Sequence, residues 1–161
     1  MAAIHSKDTK PELMVRRFLF AQGFRYRLND PRLPGHPDIV LRKYDTCIFV
    51  NGCFWHGHTG CDAYRIPKTN VKFWQDKISR NKARDTKTIE QLTALGWNCI
   101  TIWECELKPK ARLQTLQSLE QTLLQIYLKK NTSKKPAKRL SYNLDDDTPL
   151  RQAAEDTKNG D

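Results

Sequence analysis

The nine residues Cys53-Phe54-Trp55-His56-Gly57-His58-Thr59-Gly60-Cys61 contain two cysteines and two histidines. The spacing C-x4-H-x2-C puts Cys53, His58 and Cys61 within reach of one cation. Thiolate and imidazole suit Zn²⁺ and do not suit Mg²⁺. A structural zinc takes four ligands, so one more must come from elsewhere. Cys105 is the best placed, at the end of an apolar strand-like run, because parallel strands bring their ends together. Spacing does not decide whether His56 or His58 is the imidazole ligand. Cys47 and Cys99 lie inside apolar runs and read as small core residues. The five cysteines are an odd number, and Met-Ala-Ala-Ile-His-Ser-Lys-Asp opens the chain without the apolar core of a signal peptide. Metal binding is therefore expected in preference to a disulfide framework.

Asp38 is the second residue that invites chemistry. It follows Gly35-His36-Pro37 and heads the apolar run Ile39-Val40-Leu41, although aspartate is a poor strand former. It either caps the preceding turn or acts as a carboxylate ligand to Mg²⁺, a hard cation that prefers oxygen. Pro37-Asp38, a hairpin and a second apolar strand together resemble the PD-(D/E)-x-K nuclease core. In that core the second strand supplies an acidic residue and a lysine, and Ile48-Phe49-Val50-Asn51-Gly52 has neither. Either the match is accidental or another group replaces the lysine. His56 is the natural replacement, because an imidazole with a pKa near about 6.5 suits a general base at neutral pH. The Val50 backbone carbonyl is then available as a second metal ligand.

Phe54 and Trp55 sit in a polar loop, and Trp74 lies in the lysine-rich stretch Lys68–Lys77. Exposed aromatics among basic residues can stack on bases or wedge between base pairs, and each ring alone could equally pack around the loop. Trp97 and Trp103 lie in a strand and read as core. Glu12 already has a capping-box role, with a second-layer carboxylate near a metal as the other use. The 28 basic against 18 acidic residues give a net charge of +10. Of these, 20 basic and 12 acidic residues fall in residues 1–128, leaving that stretch near +8. A polyanionic partner is expected, nucleic acid being the commonest. No apolar run approaches membrane-spanning length.

The elements that must position these groups can be read along the chain. Thr9-Lys10-Pro11-Glu12 opens a helix that Gly23 ends. Phe24–Leu28 alternates like a strand, Pro31–Pro37 is turn-rich, and Asp38–Leu41 and Thr46–Val50 are strands around an Arg42–Asp45 turn. A polar helix is predicted from Val71 to Leu95, with Phe73, Trp74 and Ile78 on one face and Ile89, Leu92 and Leu95 on another. Trp97–Trp103 is predicted as a central strand. A last helix runs from Ala111 to Leu128 with Leu113, Leu116, Leu119, Leu123 and Ile126 as its stripe. Residues 129–161 change to a polar composition with Asp145-Asp146-Asp147 and read as a disordered tail. The expectation is an α/β domain over 1–128, a mixed central sheet flanked by helices with one structural zinc site.

With these residues in view, the sequence resembles the very short patch repair (Vsr) endonucleases, a family with a restriction-endonuclease-like core. The likeness covers about residues 5–110 and rests on four stretches: Pro34–Asp38, Gly52–His56 with His58 and Cys61, Phe73-Trp74 with Lys77 and Asn81, and Trp103-Glu104-Cys105. It implies a bacterial, cytoplasmic enzyme that nicks double-stranded DNA 5′ to the thymine of a T:G mismatch. By the same resemblance Asp38 binds Mg²⁺, His56 is the catalytic histidine, and Glu12 is a carboxylate of the active-site neighbourhood. Cys53, His58, Cys61 and Cys105 match structural zinc ligands. Phe54, Trp55 and Trp74 match aromatics that wedge into DNA, and Lys77 and Asn81 are DNA-binding residues beside them. A monomer is expected, working with other DNA repair proteins. The pattern departs from the family at three places. His58 and Cys61 are one residue further apart. Val50 stands where the best-known member has threonine, and Asn51 where a histidine is often seen. The N-terminal segment that helps family members hold DNA is also expected to be short here. Two other functions fit the residues: a sequence-specific nicking or restriction-type endonuclease without mismatch dependence, and a zinc-containing DNA-binding module that has lost catalysis.

Overall fold

A computed structural model describes residues 8–133. Helix α1, Lys10–Ala21, begins where the Thr9 hydroxyl accepts the Glu12 N–H at 3.3 Å and Pro11 occupies the first turn. The Glu12 carboxylate reaches back to the Asp8 N–H at 3.0 Å. Strands β1, Arg27–Leu28, β2, Ile39–Leu41, and β3, Thr46–Asn51, form an antiparallel meander. A single 3-10 turn over Arg42–Tyr44 joins β2 to β3, and Asp45 closes it in the left-handed region. Helix α2, Val71–Ala94, carries the chain to β4, Asn98–Trp103, which pairs parallel to β3. A second 3-10 turn, Glu104–Leu107, precedes helix α3, Arg112–Ser133.

The sheet order is β1-β2-β3-β4 and the sheet is mixed, as expected. Alternation along the strands sends side chains to two cores. Ile39, Leu41, Ile48, Val50 and Ile102 meet Val15 and Leu19 of α1 and Leu116, Leu119 and Leu123 of α3. Val40 and Cys47 turn the other way, onto Leu92 of α2, with Phe49, Trp97 and Cys99 partly buried around them.

Several expectations need correction. β4 pairs with β3 only, so among the described residues it is an edge strand and not a central one. Its apolarity comes from being covered on both faces. The strand expected over Phe24–Leu28 is reduced to Arg27–Leu28, because Phe24 is drawn into the core against Tyr44. The α3 stripe holds at Leu116, Leu119 and Leu123, but Leu113 is 65% exposed. Leu95 is likewise exposed. α3 continues through residues 129–133, where the polar tail was expected to begin, and the rest of that tail lies outside the described residues. No helix among the described residues is long and apolar enough to cross a membrane.

Candidate active site and metal centre

The carboxyl ends of β3 and β4 lie side by side, with Asn51 paired to Trp103. Cys53 and Cys105 each stand two residues past that pair, so the parallel register delivers both to one place. His58 and Cys61 arrive from the loop between β3 and α2. That loop winds through successive turns: the N–H groups of His56, Gly57, His58 and Cys61 bond back to the carbonyls of Gly52, Phe54, Cys53 and His58. The ligand atoms of Cys53, His58, Cys61 and Cys105 all lie within 4.8 Å of one another. Around a tetrahedral zinc, ligand atoms stand about 3.5–4 Å apart, so the three sulfurs and one nitrogen fit such an ion. Burial raises the Cys53 thiol and, helped by the neighbouring thiols, pushes Cys105 up to about 12. A cation is what would let this set ionise together.

Of the two histidines, His58 is the one that stands with the three thiols. His58 Nδ1 stands 3.4 Å from Cys105 Sγ, and its ring lies flat on Trp103 with centroids 4.1 Å apart. Trp103 is therefore half-buried against the Cys/His cluster and not a core residue as expected. His56 points the opposite way. Its Nδ1 meets Asp85 Oδ2 of α2 at 2.6 Å. Gly57 separates the two histidines. Its φ of +61° belongs to the left-handed region, and a Cβ there would meet Ile78 and Lys82 of α2 at 2.8 Å. Glycine lets the helix press against the loop while the flanking side chains diverge.

A cleft of about 910 Å³ opens on the His56 side. Glu12 of α1, Asp38 at the head of β2, Val50 and Asn51 at the end of β3, His56, Arg84 and Asp85 of α2, and Glu104 all line it. Asp38 Oδ2 accepts the Val50 N–H at 2.8 Å, and among the described residues Oδ1 carries no hydrogen bond. Burial pushes the Asp38 carboxyl up to about 6. Glu12 adds to the rise, while the Val50 N–H, His56 and Arg16 oppose it. Burial also raises Glu12, against the Asp8 N–H and Arg16, whose guanidinium lies 3.1 Å away. Two carboxyls held above their usual range around a free oxygen suit a hard divalent cation, which would favour their ionised forms. Glu12 is thus both a helix-capping residue and a wall of the cleft.

Asp85 was not anticipated from the sequence. The Asp85 carboxylate holds the His56 ring by its Nδ1 and favours the proton on that nitrogen. Lys77, Asn81 and Asp85 follow at steps of four along α2, a pattern that marks one helix face and was the available signal. Asn81 Nδ2 donates to the Trp55 carbonyl at 3.0 Å, so its amide pins the loop beside His56.

The aromatics form one group. Phe54, Trp55 and Trp74 meet edge to face at centroid distances of 5.1 to 5.8 Å. Phe73 joins Trp74 at 5.2 Å and is 53% exposed. The Lys77 ammonium lies 5.3 to 5.8 Å from the ring centres of Trp55, Trp74 and Phe73. Phe54, Trp55 and Trp74 are half-buried in one another, and Phe73 is an exposed member that sequence reasoning placed only on a helix face.

Comparison with known proteins places the chain among DNA endonucleases. A family model described as DNA mismatch endonuclease Vsr matches residues 1–62. The chain is 57% identical over 111 residues to the type II nicking enzyme V.NmeAIP of Neisseria meningitidis, covering 69% of this chain and 79% of that one. It is 43% identical to the type II nicking enzyme V.XorIIP of Xanthomonas oryzae, covering 71% and 83%. It is 41% identical over 113 residues to the DNA mismatch endonuclease Vsr of Escherichia coli, covering 70% and 72%.

Proposed function

Because the chain belongs to the Vsr family of DNA endonucleases, we propose that it nicks double-stranded DNA 5′ to the thymine of a T:G mismatch, in a Mg²⁺-dependent reaction. One observation carries the reading: Asp38 and an Asp85-bound His56 face one cleft beside an aromatic cluster. In this mechanism Asp38 and the Val50 carbonyl would hold Mg²⁺. When bound there, the ion supplies neutralisation of the scissile phosphate. Asp85 fixes the His56 tautomer, and His56 Nε2 takes the proton of the attacking water. Glu12 supports the site through its field on Asp38. Zn²⁺ on Cys53, His58, Cys61 and Cys105 is structural and holds the loop that carries His56 and the rings. Phe54, Trp55 and Trp74 wedge into the duplex with Lys77 at their side, and Asn81 acts through the loop it pins. Unstacking a base step costs a few kcal/mol (about 2–4), and least at a mismatch, which favours T:G over matched DNA.

Nicking without mismatch dependence is the second reading, favoured by the names of the 57% and 43% identical relatives. The deciding experiment is a strand-resolved cleavage assay on matched and T:G duplexes with varied flanks, with and without Mg²⁺. The expected result is one nick 5′ to the mismatched thymine, lost without Mg²⁺ and lost in Asp38→Ala while DNA binding persists. Equal nicking of matched duplexes would establish the second reading. Undiminished cleavage by Asp38→Ala would remove Asp38 from the chemistry, and no cleavage of any duplex would leave a DNA-binding module.

A further inference from the structure

The strand that carries a lysine in PD-(D/E)-x-K nucleases is Ile48-Phe49-Val50-Asn51-Gly52 here and carries no cation. His56 is the proposed base, and the strand offers the phosphate no fixed charge of the kind a lysine supplies. The walls of the cleft hold four carboxylates, Glu12, Asp38, Asp85 and Glu104. Such a site repels a phosphodiester unless fixed positive charge faces it. Among the described residues lining the cleft, Arg84 is the only lysine or arginine.

Arg84 precedes Asp85, the partner of His56, on α2. Its Nη2 donates to Asn81 Oδ1 at 3.2 Å, and Asn81 Nδ2 holds the Trp55 carbonyl at 3.0 Å. That chain of bonds ties the guanidinium to the backbone immediately before His56. The guanidinium has five N–H donors, and this is the one hydrogen bond it makes among the described residues. Arg84 is exposed and has no carboxylate within ion-pair distance among the described residues. An arginine with free donors, steadied at one end and opening on a carboxylate-lined cleft, is built for bidentate contact with phosphate oxygens.

We propose that Arg84 binds the scissile phosphodiester and replaces, from α2, the lysine missing from the second core strand. The inference rests on the endonuclease reading above. Arg84 touches the non-bridging oxygens and stabilises the charge that gathers on them as water attacks phosphorus. Asp38 would hold the divalent cation, and Arg84 would supply from α2 the fixed charge that the core strand lacks.

The test pairs Arg84→Ala and Arg84→Lys with a T:G duplex carrying one uncharged methylphosphonate at the scissile linkage. Single-turnover nicking with saturating enzyme and Mg²⁺ should fall about 100-fold in Arg84→Ala, with Arg84→Lys between it and the wild type. In EDTA, the neutral linkage should weaken binding by the wild type about tenfold and leave Arg84→Ala unaffected, because the contact is already gone. Thermal melts matching the wild type certify that the variants fold. Wild-type nicking rates in Arg84→Ala would overturn the proposal. So would equal weakening of wild type and Arg84→Ala by the neutral linkage, which would make Arg84 a support for the loop through Asn81. The wild-type cleavage arm reports on the endonuclease reading, and the variant and binding arms report on Arg84.

Discussion

Asp38 must be ionised to hold a cation, in a position that penalises ionisation. Burial and the neighbouring Glu12 lift its carboxyl from 3.8 to about 6. The folded-state value lies above the unfolded one, so in the metal-free protein Asp38 favours folding fully below pH 4. That contribution is lost as pH rises through 6. A shift of this size corresponds to about 3 kcal/mol above pH 6. Asparagine keeps an oxygen for the Val50 N–H and never ionises. Asp38→Asn should therefore abolish nicking and yet melt about 5 °C or more above the wild type in EDTA at pH 8. The two proteins should converge at pH 4. Melting curves across that range check it. A variant less stable than wild type at pH 8 would mean that the carboxylate is held by contacts and not merely tolerated.

The loop over residues 52–61 works as an element only because α2 closes on it. At Gly57 the backbone of the loop comes close to α2 side chains, and Gly60 offers a control, since its φ is +80° with nothing within 4 Å of a Cβ. Alanine at Gly60 adds left-handed strain alone, about 1–2 kcal/mol. Alanine at Gly57 adds the same strain and a collision with Ile78 and Lys82. Gly57→Ala should lower the melting temperature more than Gly60→Ala and slow nicking at least tenfold. It should keep one equivalent of zinc by metal analysis, since all four ligands remain. Equal behaviour of the two variants would show that α2 does not set the histidine loop. Much of this element was legible in the sequence. The C-x4-H-x2-C spacing, the distant Cys105 and the head-of-strand Asp38 name chemistry by residue type, and a parallel pair of strand ends follows from the order of elements. What was hidden depended on facing surfaces. Asp85 sits in a run of polar residues that looks like any solvated helix face until His56 is placed against it. Trp103 reads as core because a strand gives no hint of a flat imidazole beyond its end. The edge position of β4 was equally hidden, because cover on two faces makes an edge strand as apolar as a central one.

At the scale of the molecule, a chain of net charge +10 holds a cleft lined by four carboxylates. The basic body and the aromatic cluster beside that cleft would divide the work of binding DNA. The basic body meets phosphates whatever the sequence, and each phosphate neutralised contributes about −0.9 to the slope of log affinity against log salt. In the proposed reading the aromatic cluster acts on stacked bases. Phe54, Trp55 and Trp74 must leave one another to enter a duplex, and that exchange involves rings and base steps but no counterions. If the wedge reads the mismatch, discrimination lies in a term that salt does not screen. Binding to T:G and matched duplexes in EDTA should then give two parallel lines between 50 and 300 mM salt, set apart by about one to two decades. Trp55→Ala should bring the lines together without changing their slope. Lines that converge as salt rises would mean that the mismatch is recognised through additional phosphate contacts on a bent duplex. The basic body, and not the rings, would then carry the selectivity.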